Sequence, residues 1–68
     1  MTTYILSQHP NYWYVAQYEE TKGGPVIKTP SENEALAAAM KNAKEHKPSK
    51  VVRVALSGEA KVLAKFDA

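Results

Sequence analysis

His9 and His46 are the two imidazoles of the chain, and either could shuttle protons or ligate a metal if acids or further ligands stood at suitable spacing. Neither has such neighbours. His9 precedes the turn residue Pro10 and His46 lies in a lysine-rich stretch, so both read as solvated surface residues. Glu19 and Glu20 are adjacent, and adjacent strand residues point to opposite faces, whereas paired acid and base work needs convergent carboxylates. They read as edge charges that discourage aggregation. Gly23 and Gly24 precede a short strand rather than a helix, so they form a turn and not a phosphate-binding loop. With no cysteine there is no thiolate nucleophile, no disulfide and no usual structural zinc site. These residues predict a protein that is not an enzyme and takes no cofactor or metal.

The remaining chemistry is recognition. Tyr12, Trp13, Tyr14 and Tyr18 fall within one short stretch, and with Tyr4 and Phe66 they are all the aromatic residues present. On a strand Tyr12, Tyr14 and Tyr18 share one side, while Trp13 and Val15 share the other. Trp13 and Val15 make the better core pair, because indole is large and apolar and a tyrosine hydroxyl prefers a wet end.

The elements that position these residues follow from patterning. Residues 3 to 8 and 12 to 19 read as a hairpin about His9, Pro10 and Asn11, followed by a glutamate-rich turn and a short strand, Val26 to Lys28. A helix opens near residue 30, capped either by Thr29 with Pro30 at the first helical position or by Ser31 with Glu34 as a capping box. Leu36, Ala39, Met40 and Ala43 form its narrow apolar stripe, with Leu36 and Met40 as anchors, and Pro48 stops it. Beyond it, two β-rich runs flank Ser57, Gly58 and Glu59. A three-residue loop there puts Val52, Val54 and Leu56 inside with Ala60, Val62, Ala64 and Phe66, leaving Val51, Arg53, Ala55, Lys61, Leu63 and Lys65 outside. Gly58 supplies the positive φ of that turn.

The expected fold is α+β: one domain over residues 1–68, a small antiparallel sheet of four to five strands in the order ββ(β)αββ, one helix packed on one face and the other face open. Tyr12, Tyr14 and Tyr18 then share the open face with Arg53, Lys61 and Lys65. Tyrosine and arginine are favoured at interfaces, and such a mixture suits an acidic protein surface or the stacked bases of a single-stranded nucleic acid. The same residues also suit simple cross-strand stabilisation, since tyrosine has high β propensity.

Nine Lys and Arg against seven Asp and Glu give a net charge of +2, too small to imply nucleic acid by itself. The charge is uneven: Lys41, Lys44, Lys47, Lys50, Arg53, Lys61 and Lys65 make the C-terminal half basic, opposed there by Glu45, Glu59 and Asp67. The first ten residues lack a basic export-signal start, and no run of about 18 apolar residues occurs, so a soluble cytoplasmic protein without a membrane partner is expected.

Two resemblances accompany this reading. Trp13 and Val15, then Thr29, Glu34 and Ala35, then Ser57 and Gly58 resemble the strand, helix-start and closing-hairpin signals of a short bacterial and phage ββαββ family of unknown function. Tyr12 with Trp13, Glu34 to Leu36, and Val51 to Val54 are similar to the aromatic-Trp strand, helix and following strand of small phage inhibitors of bacterial RNA polymerase. That second likeness implies a protein that contacts a larger host protein through arginines on the strand after the helix, where Arg53 stands at the matching position and Ala55 at the next. Together these features point to a non-enzymatic protein-binding module, a phage or mobile-element inhibitor that occludes a host protein with an acidic surface. The alternatives are a single-stranded nucleic-acid binder and a homodimeric small domain.

Overall fold

A computed structural model describes residues 1–20 and 22–68. Five strands and one helix follow in the order β1 (Thr2–Gln8), β2 (Trp13–Tyr18), β3 (Gly23–Thr29), α1 (Glu32–Glu45), β4 (Ser49–Val54) and β5 (Ala60–Phe66). They form one sheet in the order β3-β2-β1-β4-β5 with α1 as the second layer, a small α+β fold. The sheet is mixed rather than purely antiparallel: β1 pairs with β4 in parallel at its centre, and the other three pairings are antiparallel. The helix causes this. It carries the chain from the β3 edge across to the far side of β1, so β4 enters in the direction of β1, as a crossover connection must.

Helix α1 starts by the second of the two capping frames. Ser31 is the N-cap, and its side chain accepts from the Glu34 amide at 3.3 Å. Thr29 is not the N-cap and Pro30 lies outside the helix, but the Thr29 hydroxyl supports the start by accepting from the Ser31 amide and donating to the Glu34 carboxylate at 2.7 Å. Past the other end, the buried Ser49 hydroxyl donates to the Ala43 carbonyl, a terminal acceptor that also takes the His46 amide at 3.3 Å. The stripe that meets the sheet is Ala35, Ala39 and Ala43, all fully buried, with Leu36 and Met40 only half-buried beside it. Methyl side chains let the helix backbone lie close, and the sheet supplies the bulk through Tyr4, Leu6, Trp13, Val15 and Val51.

Two β-bulges set which residues face the helix. One lies in the β2–β3 pairing, where Val15 pairs with Ile27 but Ala16 with Pro25. The other lies in the β4–β5 pairing, where Val51 pairs with Ala64 but Val52 with Val62. The β4–β5 loop does contain three residues, shifted by one to Leu56, Ser57 and Gly58. Ala55 donates to the Glu59 carbonyl at 2.9 Å, the Gly58 amide donates to the Ala55 carbonyl at 2.8 Å, and Gly58 takes a φ of 94°. The grouping of Val52 and Val54 with Ala60 and Val62 holds, yet it lies on the face away from the helix. Val51 takes the core position, opposite the buried Tyr4. The bulge in β5 then returns Ala64 and Phe66 to the helix side, where they pack on the core.

Candidate interaction face

The face away from the helix follows from the pairing register as three rows across all five strands. One reads Lys28, Tyr14, Ser7, Val54, Ala60; the next Pro25, Ala16, Ile5, Val52, Val62; the third Gly23, Tyr18, Thr3, Lys50, Lys65. The middle row is wholly apolar. At the usual inter-strand spacing it runs about 19 Å, with the flanking rows roughly 7 Å to either side. Ile5, Val52 and Val54 are half-buried by their neighbours, Val62 is exposed, and Ala16 is buried between Tyr14 and Tyr18. No aspartate or glutamate occupies any strand position of this face, whereas three lysines do.

Of the six residues expected to form the interaction surface, four lie on this side. Tyr14, Tyr18 and Lys65 occupy its outer rows, and Tyr12 stands just before β2 at the Tyr14 end. Arg53 and Lys61 do not belong to it. They pair with each other, and Arg53 pairs with the buried Leu6, which places both on the helix side. There the Arg53 guanidinium lies over the Trp13 ring, 5.0 Å from its centroid, and its Nε donates to Glu32 at 2.9 Å. The physical reason is the parity of β4: the buried pair Tyr4 and Val51 fixes odd-numbered residues of that strand toward the helix.

Tyr12 and Tyr14 are organised by residues that read as bystanders in the sequence. The His9 ring stacks on Tyr12 with centroids 4.6 Å apart and 13° between planes, and meets Tyr14 edge-on at 6.5 Å. The Lys28 ammonium sits 4.3 Å from the Tyr12 centroid. Ser7 donates to the Tyr14 carbonyl and is 3.3 Å from His9 Nε2, an arrangement that assigns the ring proton to Nε2. His9 is thus a packing partner of the tyrosines and not a freely solvated side chain. Only the short HPNY turn, which closes with the His9 amide donating to the Tyr12 carbonyl at 2.9 Å, hints at this in the sequence. Tyr18 stands two rows from Tyr14, roughly 13 Å along the strand, so the aromatic stretch is two separated groups in space.

His46 is also less isolated than its sequence position suggests. Its Nδ1 lies 2.9 Å from the Asn42 carbonyl and 3.1 Å from the hydroxyl of buried Tyr4, which itself donates to Gln17. With the proton on Nδ1, the ring shares one N–H between the Asn42 carbonyl and the Tyr4 oxygen. Burial pushes the Tyr4 phenol above its ordinary value, helped by the carboxylates of Glu19 and Glu45. This network sits at the C-terminal end of the helix and ties it to β1 and β2. Among the described residues no group of three or more His, Cys, Asp and Glu is placed to hold a metal ion, and no helix is long and apolar enough to cross a membrane.

Comparison with known proteins finds no match: no family model, no curated protein and no solved structure matches this chain.

Proposed function

We propose that this chain is a non-enzymatic, cytoplasmic binding protein that works by occlusion, laying its open sheet face on an acidic patch of a larger protein. The observation that carries the reading is the composition of that face: a continuous apolar row flanked by Tyr14, Tyr18, Lys28, Lys50 and Lys65, with no carboxylate in any of its strand positions. An apolar centre with a polar rim is the usual anatomy of a protein interface, and a single sign of charge selects partners of the opposite sign. A host protein bound by a phage or mobile-element inhibitor fits this reading. Compared with the expectation from sequence, Lys28 and Lys50 replace Arg53 and Lys61 as the cations that meet it.

Affinity purification from host lysate, with and without nuclease, tests the proposal when run on variants as well as the parent chain. Tyr14→Ala and the double change Lys50→Glu with Lys65→Glu should each lower capture of the partner at least tenfold, while Arg53→Ala should leave it unchanged. Equal capture by all four proteins would remove the face from consideration. Capture that disappears with nuclease and falls steeply with salt would instead support the single-stranded nucleic-acid reading, in which the tyrosines stack on bases.

A further inference from the structure

We infer that, in the absence of a partner, a second copy of this chain covers the open sheet face, so that self-association and partner binding exclude each other. The inference rests on that face being the working surface and adds who occupies it at rest. Among the described residues the helix is the only layer over the sheet, and it lies on the other side, leaving Ile5, Val52, Val54 and Val62 without a covering layer.

The rows show why a copy fits. In the aligned class of sheet packing the strands of the two sheets lie within about 30° of each other, and a two-fold axis then lies close to the rows or close to the strands. An axis along the apolar row sets that row against itself, Tyr14 against Tyr18 of the second copy, and Lys50 and Lys65 against Val54 and Ala60. An axis along β1 sets Pro25 against Val62, Ala16 against Val52, and Tyr18 against Lys50. Both arrangements place Ile5 against its own counterpart at the centre, and neither opposes one lysine to another. The face is therefore self-complementary in its pattern of apolar and polar positions although it carries a single sign of charge, with the lysines in the outer rows, where long stems let the ammonium groups turn to water.

Size makes the association weak. Five strands by three rows span on the order of 500 Å² per copy, short of the roughly 800 Å² per partner of a standard stable interface, so the dimer is transient and depends on concentration. Charge gives it a signature. Bringing two lysine-bearing faces together is opposed by repulsion that salt screens, so added salt strengthens self-association, whereas it weakens binding to an acidic partner.

Sedimentation velocity on the purified chain from roughly 10 µM to 1 mM, at low and high salt, tests this over the range expected of a small interface. The expected result is a monomer–dimer equilibrium that shifts toward dimer with salt, and its loss in Ile5→Lys. Because a charge in the central strand could unfold the chain, Ile5→Thr is measured alongside, keeping a β-branched residue and predicting a several-fold weaker dimer with unchanged circular dichroism. Concentration-dependent amide shifts in the parent protein should fall on the three rows and spare Arg53 and Lys61. A monomer at the highest concentration and salt, or a dimer unaffected by a folded Ile5 variant, would overturn the inference. These measurements contain no partner, so their failure leaves the acidic-partner reading to its own test, and loss of face-dependent lysate capture leaves the dimer standing.

Discussion

Arg53 and Trp13 form a pair on the helix side of the sheet, with the guanidinium carbon 5.0 Å from the ring centroid and Nε held by Glu32 at the first turn of α1. The contact links β4, β2 and the helix start, yet Arg53 and Glu32 are both partly exposed, which limits its energy through solvent screening. Arg53→Ala should lower unfolding stability by about 0.5–1 kcal/mol, read from urea denaturation, and should change neither partner capture nor self-association. A loss of binding with intact stability would return Arg53 to the interface.

Tyr4 makes stability sensitive to alkaline pH. Its phenol is held above the ordinary value of about 10, so below that value both folded and unfolded chains carry the proton and the contribution of the group is fully present. As pH rises further the unfolded chain loses the proton first, and stability falls until the folded phenol also ionises. Tyr4→Phe should cost about 1 kcal/mol near neutral pH through its lost hydrogen bonds, and should flatten the decline of urea midpoints above pH 10. An identical alkaline slope in both proteins would contradict the assignment.

The element order was legible in the sequence because each boundary has a local chemical cause: Pro10 and Asn11 at one turn, Ser31 with Glu34 at the helix start, Gly58 at the last loop. Facing was less legible. Trp13 and Val15 do lie opposite Tyr14, as the large apolar indole and the wet end preferred by a tyrosine hydroxyl indicate, although Tyr4, Ile5 and Leu6 are apolar on both faces of that hairpin. On β4 the run Val51, Val52, Arg53, Val54 offers valine to both sides. What decides the matter is the parallel pairing with β1, a long-range contact that no local signal encodes. The bulge in β5 hides the switch further, because strict alternation would keep Ala64 with Val62. Two of the three expected cations, Arg53 and Lys61, lie on the helix side for this reason alone.

The alanine stripe sets a tolerance that helix propensity does not anticipate. Ala39 is fully buried against the sheet, whereas Ala37 on the same helix is exposed. Ala39→Leu should destabilise by about 1–3 kcal/mol because the close approach of helix and sheet leaves no room for the added carbons. Ala37→Leu should fall within about 0.5 kcal/mol of the parent chain. Thermal unfolding of the two variants separates packing from propensity, since both make the same chemical change.

Gly58 is the one residue with positive φ among those described, and a Cβ built on it meets nothing within 4 Å. Any cost of substitution is therefore conformational and not steric contact with a neighbour. Gly58→Ala should lower stability by about 1 kcal/mol or somewhat more, and Gly58→Asn by less, because asparagine tolerates the left-handed region. Equal losses for the two would point to a different turn geometry.

Lys50 stands directly opposite Lys65 across β4 and β5, and Thr3 flanks it on β1. Like charges at opposed positions on one face destabilise a sheet, so this pair works against the fold locally. Lys50→Glu converts it to an attractive pair and should raise stability by about 0.2–1 kcal/mol, an effect that shrinks as salt is added. The same change places a carboxylate on a face that otherwise has none, and should weaken capture of an acidic partner. The two readouts then move in opposite directions, which a purely structural role for the lysines does not produce. If Lys50→Glu raised stability and left capture unchanged, the lysine rows would be reduced to a solvated surface, and the apolar row alone would remain as the basis for recognition.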